Sequence, residues 1–176
     1  MPVARFRAST FTAPDFASTA LAVDAGSGTY ATWTNAARRG ETISTFGGFD
    51  FSAIPGASTI NSVTAFLRHY ESSTGDMNTV TVDGSGVTTV TAATEHSVAL
   101  AAALPTTVEV VHLRGNNTRS TTCYVDYLDI EVDYTLPPEA AAWNGTAWVT
   151  PEVWNGTHWV VPEVWNGTRW VPLGGF

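Results

Sequence analysis

At 176 residues, 44% hydrophobic and 14% charged, the chain has room for one ordinary domain plus a small appendage, and its composition is that of a folded protein. Eight Lys and Arg stand against sixteen Asp and Glu, a formal net charge of −8, and no basic run exceeds Arg38-Arg39, so most of the surface repels nucleic acid. The single cysteine, Cys123, excludes an intrachain disulfide, and no stretch approaches the ~18 apolar residues of a membrane span.

The opening residues Met1-Pro2-Val3-Ala4-Arg5-Phe6-Arg7 lack the apolar centre of a signal peptide, which predicts folding in the cytoplasm where the chain is made. Residues 1–28 mix short apolar words with turn formers and read as an extended arm or a first edge strand. Thr29-Tyr30-Ala31-Thr32-Trp33-Thr34, rich in Thr and aromatic residues, predicts a strand, and Arg38-Arg39-Gly40 a turn. A strand is expected over 42–51, with Phe49 and Phe51 on one face and Asp50 on the other. Pro55 and Gly56 then break the chain. Residues 60–70 alternate Val63, Ala65, Leu67 and His69 with Thr64, Phe66, Arg68 and Tyr70, a period of two.

Short strands at 79–82, 87–91 and 107–113 follow, separated by Gly, Asp, Asn or Pro; Gly84-Ser85-Gly86 reads as a turn. The alanine-rich run Val98-Ala99-Leu100-Ala101-Ala102-Ala103-Leu104 is the one candidate helix, two turns long and ended by Pro105. The clearest strand is 124–134, where Leu128, Ile130, Val132 and Tyr134 alternate with Asp129, Glu131 and Asp133, apolar inward and acid toward water. Eight to ten short strands without a sustained helical period predict an all-β fold, an antiparallel β-sandwich of jelly-roll type, over 1–136. Pro137 and Pro138 followed by alanines make 137–142 a linker.

Residues 143–176 say one phrase three times with a period of 11: Trp143-Asn144-Gly145-Thr146-Ala147-Trp148-Val149, Trp154-Asn155-Gly156-Thr157-His158-Trp159-Val160 and Trp165-Asn166-Gly167-Thr168-Arg169-Trp170-Val171. Six of seven tryptophans lie in less than a fifth of the chain. Asn-Gly is the strongest two-residue hairpin signal, so each copy predicts a small β-hairpin turning at Asn144-Gly145, Asn155-Gly156 or Asn166-Gly167. With Asn155-Gly156 as the turn, Trp154 pairs with Thr157, Val153 with His158 and Glu152 with Trp159, which leaves Trp154 and Trp159 diagonal on one face. A tail this short does not bury enough to order itself, so the hairpins are expected to pack on one another, on the sandwich or on neighbouring subunits, with a homotrimer preferred. On this reading Trp143, Trp148, Trp154, Trp159, Trp165 and Trp170 serve oligomerisation, ahead of sugar stacking and of docking to another protein. The Asn-Gly-Thr triplets also match a glycosylation acceptor, but without a signal peptide the turn explains them better.

Catalytic chemistry is hard to find in the sequence. His69, His96, His112 and His158 are isolated and show no metal-ligand spacing, and Cys123 reads as a buried inert thiol. Asp129, Glu131 and Asp133 fall on the polar face of one strand, so a solvated face is favoured over a calcium or catalytic cluster. Asp126 belongs to the same acidic stretch, and Asp76 and Asp83 flank turns. No phosphate loop or nucleophile elbow is present, and the expectation is a protein that is not an enzyme and uses no cofactor.

The units Val153-Trp154-Asn155-Gly156-Thr157-His158-Trp159-Val160 and Val164-Trp165-Asn166-Gly167-Thr168-Arg169-Trp170-Val171-Pro172 resemble the Trp-Asn-Gly-Thr repeats at the ends of virion proteins, often called minor tail proteins, of tailed phages infecting actinobacteria. Thr29-Tyr30-Ala31-Thr32-Trp33 and the segment from Gly48 through Ile54-Pro55-Gly56 to Ile60 look like parts of jelly-roll modules in such proteins. Tyr124-Val125-Asp126-Tyr127-Leu128-Asp129-Ile130-Glu131-Val132-Asp133-Tyr134 resembles their closing strand. A similar Phe-x-Phe and Ile-Pro rhythm occurs in bacterial surface and carbohydrate-binding jelly rolls. The resemblance covers about half of the chain and implies a virion location, with other tail or capsid proteins as partners. A minor tail role comes first, capsid decoration or a head fibre next, and contact with host-surface glycan is a further alternative. It carries over no catalytic residue.

Overall fold

The computed structural model describes residues 2–24, 28–35, 40–73, 79–114, 120–136, 142–143, 148–149, 152–165 and 170–172. Two five-stranded antiparallel sheets face each other across one core. The first holds β1 (Val3–Arg7), β3 (Ala31–Asn35), β5 (Thr59–Glu71), β8 (Thr94–Leu100) and β10 (Thr121–Thr135), in the order β1-β10-β5-β8 with β3 also on β10. The second holds β2 (Thr10–Thr12), β4 (Gly40–Gly47), β6 (Thr79–Val82), β7 (Ser85–Val87) and β9 (Thr107–Arg114), in the order β2-β4-β9-β6-β7. From β3 onward the chain changes sheet at every connection except the β6–β7 hairpin, the wrapping of a jelly roll. Among the described residues the only helical element is one 3-10 turn, Thr19–Ala22.

Side-chain alternation sets the core. On β5, Val63, Ala65, Leu67, His69 and Glu71 all face inward and are buried. They meet Val108, Val110 and His112 of β9, Val80 and Val82 of β6, and Thr42, Ser44 and Phe46 of β4 in the opposite sheet. The expected 42–51 strand ends at Gly47. Gly48 has φ +67, where a Cβ would come 2.3 Å from the Ser9 hydroxyl oxygen, and this turn takes Phe49 and Phe51 off the ladder. Their rings still lie together, centroids 5.9 Å apart, against the core.

Further local expectations need correction. The strand expected over 87–91 lies earlier: β7 ends at Val87, and residues 88–93 belong to no strand before β8 begins at Thr94. The alanine-rich run is not helical: its first residues, Val98, Ala99 and Leu100, close β8, which pairs with β5 from Leu100 opposite Val63 to Thr94 opposite His69. Seven apolar residues ending at a proline are too few to nucleate a helix in competition with an edge that offers a ladder. The turn expected at Gly84-Ser85-Gly86 lies one residue earlier. Asp83 and Gly84 both have positive φ, 44° and 79°, the pair a two-residue I′ turn requires, and Ser85 and Gly86 are already in β7.

On β10 the inward face changes parity. Thr121, Cys123 and Val125 face the core before an irregularity between Val125 and Tyr127, and Leu128, Ile130, Val132 and Tyr134 face it afterward. Asp126 is the extra residue of this β-bulge. Its carboxylate is buried beside Arg68, whose Nε is 3.4 Å away, and burial pushes its pKa up while Arg68 opposes the shift.

The acidic face of β10 is not uniformly solvated. Asp129 is only 6% exposed because β1 lays two guanidinium groups over it. Its Oδ2 accepts from Arg5 Nε at 3.0 Å and Arg7 Nη2 at 3.1 Å, and its Oδ1 from Arg7 Nε at 2.7 Å. Arg5 also stacks on Phe66 and reaches Glu95, and Arg7 stacks on Tyr127. Removing the Asp129 side chain therefore leaves Arg7 without its carboxylate and Arg5 with Glu95 alone, while the backbone ladder between β1 and β10 remains. Asp129→Ala should lower the free energy of unfolding by about 2 kcal/mol. Glu131→Ala, two residues along the same face, should stay within about 0.5 kcal/mol. Urea titration of both variants checks the contrast.

Candidate functional sites: tryptophan repeats and a buried polar cluster

Each repeat carries a two-stranded antiparallel pairing: β11 (Ala142–Trp143) with β12 (Trp148–Val149), β13 (Val153–Trp154) with β14 (Trp159–Val160), and β15 (Glu163–Trp165) with β16 (Trp170–Pro172). The register differs from the expected one. Trp154 stands directly opposite Trp159 and Val153 opposite Val160, and the same Trp-to-Trp pairing joins Trp143 with Trp148 and Trp165 with Trp170. The connection is thus four residues long, Asn155-Gly156-Thr157-His158, with no Trp154–Thr157 pair.

Asn155 explains the longer loop. Its side-chain Oδ1 accepts from the backbone N–H of Thr157 and of His158, each at 3.0 Å, and from the Thr157 hydroxyl at 2.9 Å. Its own N–H donates to the His158 carbonyl at 3.1 Å, and Gly156 sits at φ +100, where a side chain would be strained. Asn, Gly and Thr therefore act as an Asx-type loop cap, not as the two corners of a tight turn. The Trp154 and Trp159 rings lie 5.9 Å apart at 60°, an edge-to-face pair. Trp154 and Trp159 are 56% and 62% exposed, and Val153, on the opposite face of the ladder, is 48% exposed, so both faces of this hairpin meet solvent. Asn144, Gly145, Asn166 and Gly167, and the side chains of Trp143, Trp148, Trp165 and Trp170, lie outside the described residues.

The second constellation is inside the sandwich. Glu71 ends β5, directly opposite Cys123 of β10, and His112 comes across the core from β9. One ligand-type atom from each of these three side chains lies within 4.8 Å of the others, and Cys123 Sγ is 3.5 Å from Glu71 Oε1. His69, one inward position before Glu71, places its ring 6.2 Å from that of His112 and 5.0 Å from that of His96. Thr42 and Thr121 border the same region with buried hydroxyls. Phe16 packs on His112 and on Trp33, capping this end of the core with aromatic rings.

Both ring nitrogens of His69 and of His112 are buried without a hydrogen-bond partner. Burial, then the neighbouring His96, lowers the His69 pKa to about 4; burial, then His69, lowers that of His112 to about 3. Both imidazoles are neutral at pH 7 and can offer a lone pair. Neutral imidazole, thiol and carboxyl groups are donors to a soft or borderline metal ion. They can also form a water-bridged polar core.

Sequence spacing could not have found this cluster. Its members lie on three strands, and Cys123 faces inward only because the Asp126 bulge reverses the parity set by Leu128 and Ile130. Also unexpected is an aromatic group on the outer face of the first sheet. Tyr70 and Tyr124 stack at 4.2 Å, and Tyr30 meets both edge-on. No family model, curated protein or solved structure matches the chain.

The depressed histidine pKa values set the acid response. Below about pH 6.5 the unfolded imidazoles bind protons that the folded ones refuse, so stability is fully present above that pH and is lost as the pH falls toward about 4 and 3. Each histidine should contribute a slope approaching ~1.4 kcal/mol per pH unit in that window. Urea midpoints measured from pH 7 to pH 5 in a chelating buffer should fall, and His112→Leu should flatten the decline by about one histidine's share.

Proposed function

We propose that the protein is a non-enzymatic structural component on the exterior of a phage particle, a minor tail protein whose repeats mediate assembly. The observation that carries this reading is the outward-facing Trp154–Trp159 pair on an Asn-capped loop, within a unit repeated three times after the sandwich. An edge-to-face aromatic pair more than half exposed leaves much apolar surface in water, and contact with a second such surface relieves that cost. Three copies at an 11-residue period offer the same contact three times, which suits association of identical chains into a homotrimer. The likeness of the Trp-Asn-Gly-Thr phrase to repeats ending phage minor tail proteins supports a tail location. Capsid decoration uses the same device and differs only in the docking partner, another virion protein in either case.

The exposed pair also favours a second reading, a carbohydrate-binding module in which tryptophan faces stack on host-envelope sugars. The two separate cleanly. For an assembly device, light scattering gives a trimer for the full chain, and Trp159→Ala weakens association at least tenfold without changing the far-ultraviolet circular dichroism of the sandwich. A glycan array and a host-wall pulldown give no signal for either protein. Binding to glycan that Trp159→Ala abolishes, with a monomer throughout, favours the sugar reading. Antibody labelling of purified particles should place the protein on the tail; its absence from particles removes the virion role.

A further inference from the structure

Glu71, His112 and Cys123 take no part in that role, yet three strands from both sheets deliver them to one point. The 3.5 Å between Cys123 Sγ and Glu71 Oε1 matches the ~3.6 Å edge of a tetrahedron whose centre is about 2.3 Å from sulfur and 2.1 Å from oxygen. His112, 1% exposed, brings a ring nitrogen within 4.8 Å of both atoms, and neither of its nitrogens has a hydrogen-bond partner. A buried unpaired imidazole is costly, and a ligand at this point removes the cost. We propose that Glu71, His112 and Cys123 bind one divalent transition ion of the zinc class, which clamps the two sheets of the sandwich together.

The donor set selects the ion. A thiolate and an imidazole are poor ligands for calcium or magnesium and good ones for zinc. Binding drives the Cys123 thiol proton to solvent, and the thiolate and the Glu71 carboxylate together balance a 2+ charge, so the filled centre is neutral in a dry core. Three protein ligands leave the fourth position to water; His69, two residues before Glu71 on the same inward face, has its ring 6.2 Å from that of His112 and lies outside the group of three. Complete burial of all three ligands leaves no path for a substrate, which makes the site structural. It also gives a chain with one cysteine a cross-link between sheets that a disulfide cannot provide.

The test uses the full chain, stripped with EDTA and reloaded with zinc or cobalt(II). The expected result is one ion per chain by elemental analysis and a rise in Tm of about 5 to 10 °C on zinc loading. The cobalt form shows a thiolate-to-metal charge-transfer band, and Cys123→Ser loses both the band and the zinc-dependent rise, while His158→Ala in the exposed tail changes neither. Should Cys123→Ser fail to fold, the cobalt spectrum of the unaltered protein decides. Zinc-reloaded protein that retains no zinc after desalting, or cobalt binding without a thiolate band, overturns the proposal; either result leaves the virion assignment untouched.

Discussion

The structure depends most on the single extra residue at Asp126. β10 is the longest strand and the one on which β5, β1 and β3 all pair. A strand obeying strict alternation through 15 residues would direct either Thr121, Cys123 and Val125 or Leu128, Ile130, Val132 and Tyr134 into the core, but not both sets. The bulge lets both halves contribute to one interior. Its cost is concentrated in one carboxylate, which leaves the ladder and is held beside Arg68. A smaller irregularity at the far end, where Asn61 is the extra residue on β5, does the same for Ile60 and is tied down by the Asn61 amide on Thr135 at 3.0 Å.

That geometry divides the core in two. Away from the bulge, Val63, Ala65, Phe46, Val108, Ile130 and Val132 form an apolar interior of the usual kind. Toward the end where β5 stops, the same inward rows hold His69, Glu71, His112 and Cys123. Buried polar groups gathered at one end, and not scattered, mark a region where packing alone does not decide the arrangement, because each group needs a specific partner. Stability in this half therefore answers to pH and to whatever satisfies the imidazole nitrogens. In the other half it answers mainly to volume and area.

Much of the fold was legible in the sequence because a sandwich strand declares itself by a period of two. The inward row Val63-Ala65-Leu67-His69 and the strands at 79–82 and 107–113 were readable in that way. What stayed hidden depends on events with no periodic signal. The ladder that captured Val98 to Leu100 is a tertiary contact stronger than alanine's preference for helix. The coverage of Asp129 comes from Arg5 and Arg7, more than 120 residues away in sequence. The Glu71-His112-Cys123 cluster required the sheet order and the bulge together. In the repeats, the placing of Trp154 and Trp159 on one face was foreseeable but the register was not, since an Asn-Gly pair permits both a two-residue turn and the four-residue loop that the Asn155 side chain stabilises.

The two constellations are opposite answers to the same difficulty. A chain of this size with one cysteine must hold together by other means than a disulfide framework. Within the sandwich, inward polar side chains from facing sheets converge, and the His69 and His112 ring nitrogens are among the buried atoms left without a hydrogen-bond partner. In the tail, two-stranded ladders bury little by themselves, and the described pair Trp154 and Trp159 stays more than half exposed. The loop cap matters there because it fixes both rings before any encounter: with Asn155 holding Thr157 and His158, less conformational freedom remains to be lost when the face is covered. Such preorganisation of an exposed aromatic pair lowers the entropic cost of any contact made through it, which is the physical basis of the assembly role proposed for the repeats.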